Sequence, residues 1–127
     1  MLLKIQDLMN ATLLISQMIR EHRAMPQRGK LRLARMHEKL LPEFNTINAS
    51  RDAVIASYQC PDDAKPGEWM VPADKIDEFN ASWLAVASEE IFIDVEPLVM
   101  ADIDLGPHAD GSIEAGELLI LGALFAE

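Results

Sequence analysis

The sequence predicts an α+β fold that is predominantly α. Three observations carry this prediction. Apolar residues recur every three to four positions through most of the N-terminal half, as in helices with one buried face. One short run, residues 91–95, switches to period two. Half of the 127 residues are hydrophobic, enough for a real core in a chain of single-domain length. The expected architecture starts with an antiparallel helical hairpin over residues 1–58, whose second helix is long. A third packed helix, two or three short strands and a C-terminal helix follow over residues 59–127.

Residues 2–5 are short and apolar around Lys4, which fits an edge strand or the start of the first helix. From Asp7 to about Arg23 the period is helical, through Leu8, Ala11, Leu14, Ile15, Met18 and Ile19. Asp7 suits a cap or a first-turn acid facing the helix dipole. Pro26 and Gly29 break the pattern, and so short a connection favours antiparallel neighbours.

Residues 29–58 then carry the longest stripe: Leu33, Met36, Leu40, Phe44, Ile47, Val54 and Tyr58, interrupted at Arg51. Such a helix is about 45 Å long against about 25 Å for the first, so a later element must cover its far half. The other segments are expected to pack along it. Pro42 inside the stripe either kinks this helix or opens a new one.

Residues 59–67 (QCPDDAKPG) read as a loop and 68–71 as a short extended segment. Pro72 and Asp74 open a helix to about Ser88, with Ile76, Phe79, Trp83 and Val86 as its apolar stripe. It is the natural cover for the far half of the long helix. In residues 91–95, Ile91, Ile93 and Val95 point one way and Phe92 and Asp94 the other, as in a half-buried strand stopped at Pro97. Residues 98–108 show no period. Gly111 and Ser112 give a cap signal for a last helix over about 113–126.

Composition narrows the functional classes. No apolar run reaches membrane-spanning length, and charges inside MLLKIQDLMN do not fit a signal peptide. One cysteine, Cys60, allows no internal disulfide. The expectation is a cytosolic protein, or one assembled there, with no membrane association.

The net charge of −10 hides a segregation. Residues 1–40 hold eight Lys/Arg and three Asp/Glu, or +5; residues 41–127 hold three and eighteen, or −15. Either the halves fold against each other and partly neutralise, or the segregation marks polar partner surfaces.

Arg20, Arg23, Arg28, Lys30, Arg32, Arg35 and Lys39 lie at or near the hairpin turn. Arg28, Arg32, Arg35 and Lys39 form one helical stripe, opposite or beside the Leu33/Met36/Leu40 stripe. Such a stripe can meet phosphates or acidic protein. Without interleaved aromatics to stack bases, and on an acidic protein, nucleic acid is the weaker expectation. The acidic half, including Asp74, Asp77 and Glu78, can serve as a soluble surface or imitate a phosphate run. In the C-terminal helix, Leu118, Leu121 and Phe125 share one side and Ile120 and Leu124 another. One face is left over for a partner or for self-association, unless the helix is buried all round.

Residues 106–117 align in part with a twelve-residue calcium loop, with Asp110, Gly111, Ile113 and Glu117 in register. Gly106 and His108 occupy the first and third ligand places, so a Gly turn and Ser cap is the expected reading. Cys60 with His22, His37 or His108 is the only nucleophile pairing to consider, and no local signature supports it. GxGxxG, GxxxxGK(S/T), HExxH and GxSxG motifs are all missing. No cofactor, metal or catalytic residue is therefore expected, and the protein is read as not an enzyme.

The order of LLKIQDLMNATLLISQM, LLPEFNTINASRDAVIASY, EEIFIDVEPL and SIEAGELLIL resembles small proteins of unknown function encoded by tailed bacteriophages. The resemblance spans most of the chain and contains no site motif. It implies a phage or prophage protein without enzymatic activity, found in the host cytoplasm or the virion. The functional expectation is an accessory protein acting through protein–protein contacts, as in particle assembly. The surfaces are the basic tip and the C-terminal helix, with a phage or host protein or a second copy as partner. The alternative is an inhibitor of a host enzyme or defence complex that uses its acidic surface to block a basic nucleic-acid-binding groove.

Overall fold

The structure is a computed structural model that describes residues 1–61, 67–99, 101 and 115–125. Its elements are β1 (Leu2–Lys4), α1 (Ile5–Arg20), α2 (Gln27–Tyr58), β2 (Cys60–Pro61), β3 (Trp69–Met70), α3 (Ala73–Ala87), β4 (Glu90–Phe92) and α4 (Ala115–Leu121). A 3-10 turn, Gly122–Leu124, follows α4. The fold is α+β and predominantly α.

The core centres on α1, not on the longer α2. Ile5, Leu8, Met9, Ala11, Thr12, Leu14, Ile15 and Met18 are all buried. At 100° per residue these positions occupy more than half the helix circumference. α1 touches β1, α2, α3 and α4. The Thr12 hydroxyl, the one buried polar side chain among the described residues, donates to the Leu8 carbonyl at 2.7 Å. That bond satisfies it without an outside partner.

α1 ends at Arg20, three residues short of expectation. His22 takes a left-handed conformation (φ 52°). The Arg23 N–H donates to the Met18 carbonyl and the His22 N–H to that of Ile19. This is the Schellman closure, usually made with glycine. It presents Arg23 to Glu117 of α4, with Nη1–Oε1 at 2.7 Å and Nη2–Oε2 at 3.0 Å. Arg23 also donates to Glu21 at 2.6 Å. Glu117 first, then Glu21, hold the Arg23 guanidinium above its ordinary pKa. The clasp ties the hairpin turn to the C-terminal helix.

α2 runs through Pro42 without a break, so of the two expectations there the single helix holds. Its 32 residues make a rod about 48 Å long, twice the length of α1. Its buried residues, Gly29, Leu33, Met36 and Leu40, all precede Pro42. Beyond that point Phe44 and Ile47 still pack against the core, and α3 covers the helix as expected, burying among its own residues only Ala87. Beyond Ile47, the end of α2 and the start of α3 form a two-helix arm that extends from the main core, to which Trp83 still packs. Arg51, which interrupts the apolar stripe, fills the stripe position itself. Its guanidinium lies 5.8 Å from the Phe79 ring centroid and 5.1 Å from that of Trp83. Its Nε is buried with no hydrogen-bond acceptor among the described residues.

β1 pairs antiparallel with β4, placing Leu3 opposite Ile91 and Lys4 opposite Glu90. The expected edge strand is thus real, and the first helix starts immediately after it. The alternation at 91–95 holds: Ile93 is buried and Phe92 exposed. The strand itself stops at Phe92, and Ile93 instead exchanges hydrogen bonds with Met1 (2.8 and 3.0 Å). Within the expected loop at 59–67, Cys60 and Pro61 pair with Met70 and Trp69. The predicted helix start at 113, the calcium-like register before Ala115, and His108 lie outside the described residues.

The core position of α4 corrects one expectation. Leu121 is 0 % exposed, and Leu118 and Phe125 pack against the core. They are not a free partner surface. The reason is pairing distant in sequence: the Leu98 N–H donates to the Leu124 carbonyl at 2.7 Å, and Leu98 bridges Phe125 in parallel. The apolar side chains that α4 leaves outside are Leu119, 84 % exposed, and Ile120.

Two predictions follow from this packing. Leu40→Ala, at a fully buried site, lowers unfolding free energy by about 2–5 kcal/mol, whereas Leu84→Ala, at 68 % exposure, changes it by about 0.5 kcal/mol or less. Leu121→Asp unfolds the chain rather than leaving a folded monomer. Urea titration followed by circular dichroism reads all three. The second concerns pH. Hydrogen bonds from Gln17 and then Arg23 hold the Glu21 carboxyl below its ordinary pKa. Its stabilising contribution is full above the ordinary carboxylate range and disappears as pH falls through the lowered value. The unfolding midpoint of the wild type should therefore fall more steeply on acidification than that of Glu21→Gln.

Candidate protein-binding groove

The four-residue basic stripe and the core stripe of α2 share one spacing. Gly29, Leu33, Met36 and Leu40 are buried; Arg28, Arg32, Arg35 and Lys39 each precede one of them. An offset of one residue is a rotation of about 100°, so the basic stripe lies beside the core stripe rather than opposite it. There it forms one wall of an open groove of about 530 Å³. Leu31, Met36 and Glu38 share that wall, and Asp94, Val95 and Glu96 form the other.

The second wall is held from both ends. The Ile93 N–H donates to Met1, the Val95 N–H to Ile93 (2.9 Å), and the Leu98 N–H to Leu124. Those bonds bring three residues from beyond β4 against a helix more than fifty positions earlier. No local pattern in the sequence marks Asp94, Val95 and Glu96 as groove residues.

The charges are unevenly matched. Arg32 reaches Glu96 at 3.2 Å, but the Glu96 side chain is 85 % exposed. Such a pair is worth roughly 0–1 kcal/mol. Among the described residues Arg35 and Lys39 make no ion pair. The groove thus combines fixed cations, a partly acidic far wall, and apolar surface from Leu31, Met36 and Val95. Planar guanidinium groups there can take carboxylates bidentately.

The other expected site residues lie elsewhere. Asp74, Asp77 and Glu78 are all exposed at the start of α3. Lys75 stands among them, 3.1 Å from Glu78, and Glu78 holds its ammonium above the ordinary pKa. A cation within the row weakens its likeness to a run of phosphates. Cys60 follows the far end of α2, while His37 lies near its start with Nε2 2.7 Å from Ser16 Oγ. The separation along the rod is about 35 Å, so these two do not meet. Among the described residues no three His, Cys, Asp or Glu side chains come together as a metal site. Glu117, the last place of the calcium-like register, is engaged by Arg23.

The groove cations contribute little to folding. Arg35→Ala and Lys39→Ala should each change unfolding free energy by no more than about 0.5 kcal/mol, read by urea titration. No family model matches the chain, and no curated protein and no solved structure matches it either, so the groove's chemistry stands on its own residues.

Proposed function

We propose that this is a non-catalytic binding protein whose α2 groove takes an acidic stretch of a protein partner. One observation carries the reading: Arg28, Arg32, Arg35 and Lys39 converge on a single open groove with Leu31, Met36 and Val95 among them. Charge steers and orients such a partner, and apolar contact adds affinity.

A protein fits this groove better than a nucleic acid. Among the described residues no aromatic side chain lines it to stack a base. Glu38, Asp94 and Glu96 line it too, and the net charge of −10 repels a polyanion beyond contact range. The resemblance to small tailed-phage proteins supports a phage or prophage accessory role in particle assembly, in the host cytoplasm or the virion. The inhibitor alternative, with acids filling a basic groove, draws less support because Lys75 interrupts the exposed acidic row.

The test is fluorescence anisotropy with a labelled peptide of alternating Glu and Leu, beside single-stranded and duplex DNA probes of similar length. The peptide should bind, more weakly as salt rises. Arg35→Glu with Lys39→Glu should reduce its affinity about tenfold or more. Tighter binding of either DNA, or peptide affinity unmoved by the double reversal, rejects the reading.

A further inference from the structure

The groove reading leaves its occupant open, and the shape of the molecule narrows the choice. The exposed acids at the start of α3, three carboxylates against the one ammonium of Lys75 that pairs with Glu78, keep a net negative charge complementary to the groove, yet the same chain cannot bring the two together. Lys75 Nζ lies 5.9 Å from the Tyr58 ring centroid, and Arg51 lies over Phe79 and Trp83. These contacts align α3 antiparallel to α2 and put Asp74, Asp77 and Glu78 beside the last turn of α2. From Tyr58 back to Lys39 the rod measures about 28 Å, and back to Arg28 about 45 Å. The helix is continuous through Pro42, so it holds the acids away from the groove.

The acids also face the right way for an outside contact. At 100° per residue, Asp74, Asp77 and Glu78 fall on one side of α3, and Ile76, Phe79 and Trp83 fall on the opposite side. The second set meets α2 around Ile55, Tyr58, Arg51 and Val54. The acidic side therefore points away from the arm. Trp69, on β3 just before α3, is 65 % exposed, an aromatic of the kind that anchors interfaces.

Resting on the groove reading above, we propose that the occupant is a second copy of this chain. The Asp74/Asp77/Glu78 face of one protomer lies along Arg28, Arg32, Arg35 and Lys39 of the next. The two surfaces sit at opposite ends of one rod, so the contact is heterologous. Each added copy leaves one groove and one acidic face unused, and growth runs head to tail into chains unless the rotation closes a ring. The net charge of −10 opposes approach at long range. At about 0.1 M salt that repulsion is screened beyond about 10 Å, whereas opposite charges in contact keep their attraction.

Sedimentation velocity over a range of protein concentrations, at about 0.1 M and about 1 M salt, tests the proposal on the intact chain. The wild type should show species larger than a dimer that grow with concentration at low salt and revert to monomer at high salt. Arg35→Glu/Lys39→Glu should be monomeric alone, and so should Asp77→Lys/Glu78→Lys. Mixed in equal amounts they should reassemble, because each variant's groove then meets a face of opposite charge. Larger species formed by either variant alone, or persisting undiminished at high salt, overturn the proposal. If a variant does not fold, the salt response of the wild type still decides. A wild type that is monomeric throughout while the Glu/Leu peptide binds its groove overturns self-assembly and leaves the groove reading standing. A monomer that also ignores the peptide overturns both.

Discussion

Most of the structure depends on burying a short helix over more than half its surface. α1 has apolar residues on too many sides for one partner to cover. α2 takes one side, α4 and the 3-10 turn another, and the β1–β4 ribbon closes the N-terminal end. Each of these elements buries its apolar side against α1 and is exposed on its other face. Burial of this kind is worth roughly 25 cal/mol per Å² of apolar surface and has no direction of its own. Direction comes from a few polar ties. The Schellman turn at His22 aims Arg23 at Glu117, Ser16 meets His37 between α1 and α2, and Met1 meets Ile93.

The second constraint is a mismatch of length. α2 is twice as long as α1, so its last turns, beyond Ile47, leave the core behind. α3 covers them with half-buried aromatics, an arginine over their faces and only one buried residue. The stripe of α2 is fully buried before Pro42; after it Phe44, Ile47 and Tyr58 are half-buried and Val54 is exposed. Tolerance of proline follows, since the carbonyl it leaves without a helical donor belongs to Glu38, an exposed residue.

Length also keeps charge apart. The basic groove lies on the core half of α2 and the acidic turn of α3 lies at the tip of the arm. Some neutralisation between the halves of the chain does occur, through Arg23 with Glu117 and Arg32 with Glu96. A continuous helix holds its two ends apart, so the charges at its extremes stay separate. That separation, more than the net charge, is the feature on which the proposed contact between copies rests.

Periodicity by itself determined the helices, the strand alternation around Ile93, the basic stripe from Arg28 to Lys39 and the role of α3 as cover for α2. Each of these depends on neighbours within a few residues, where side-chain spacing and backbone geometry are coupled directly. The tertiary structure alone decided that α1 is the centre, that Leu121 belongs to the core, that Arg51 stacks on Phe79 and Trp83, and that Asp94 to Glu96 face the basic stripe. Those outcomes depend on contacts between residues far apart in the chain. A period of 3.6 states that a helix has a buried face, but several faces compete for the same limited core. Which of them wins is settled only when all the elements pack at once.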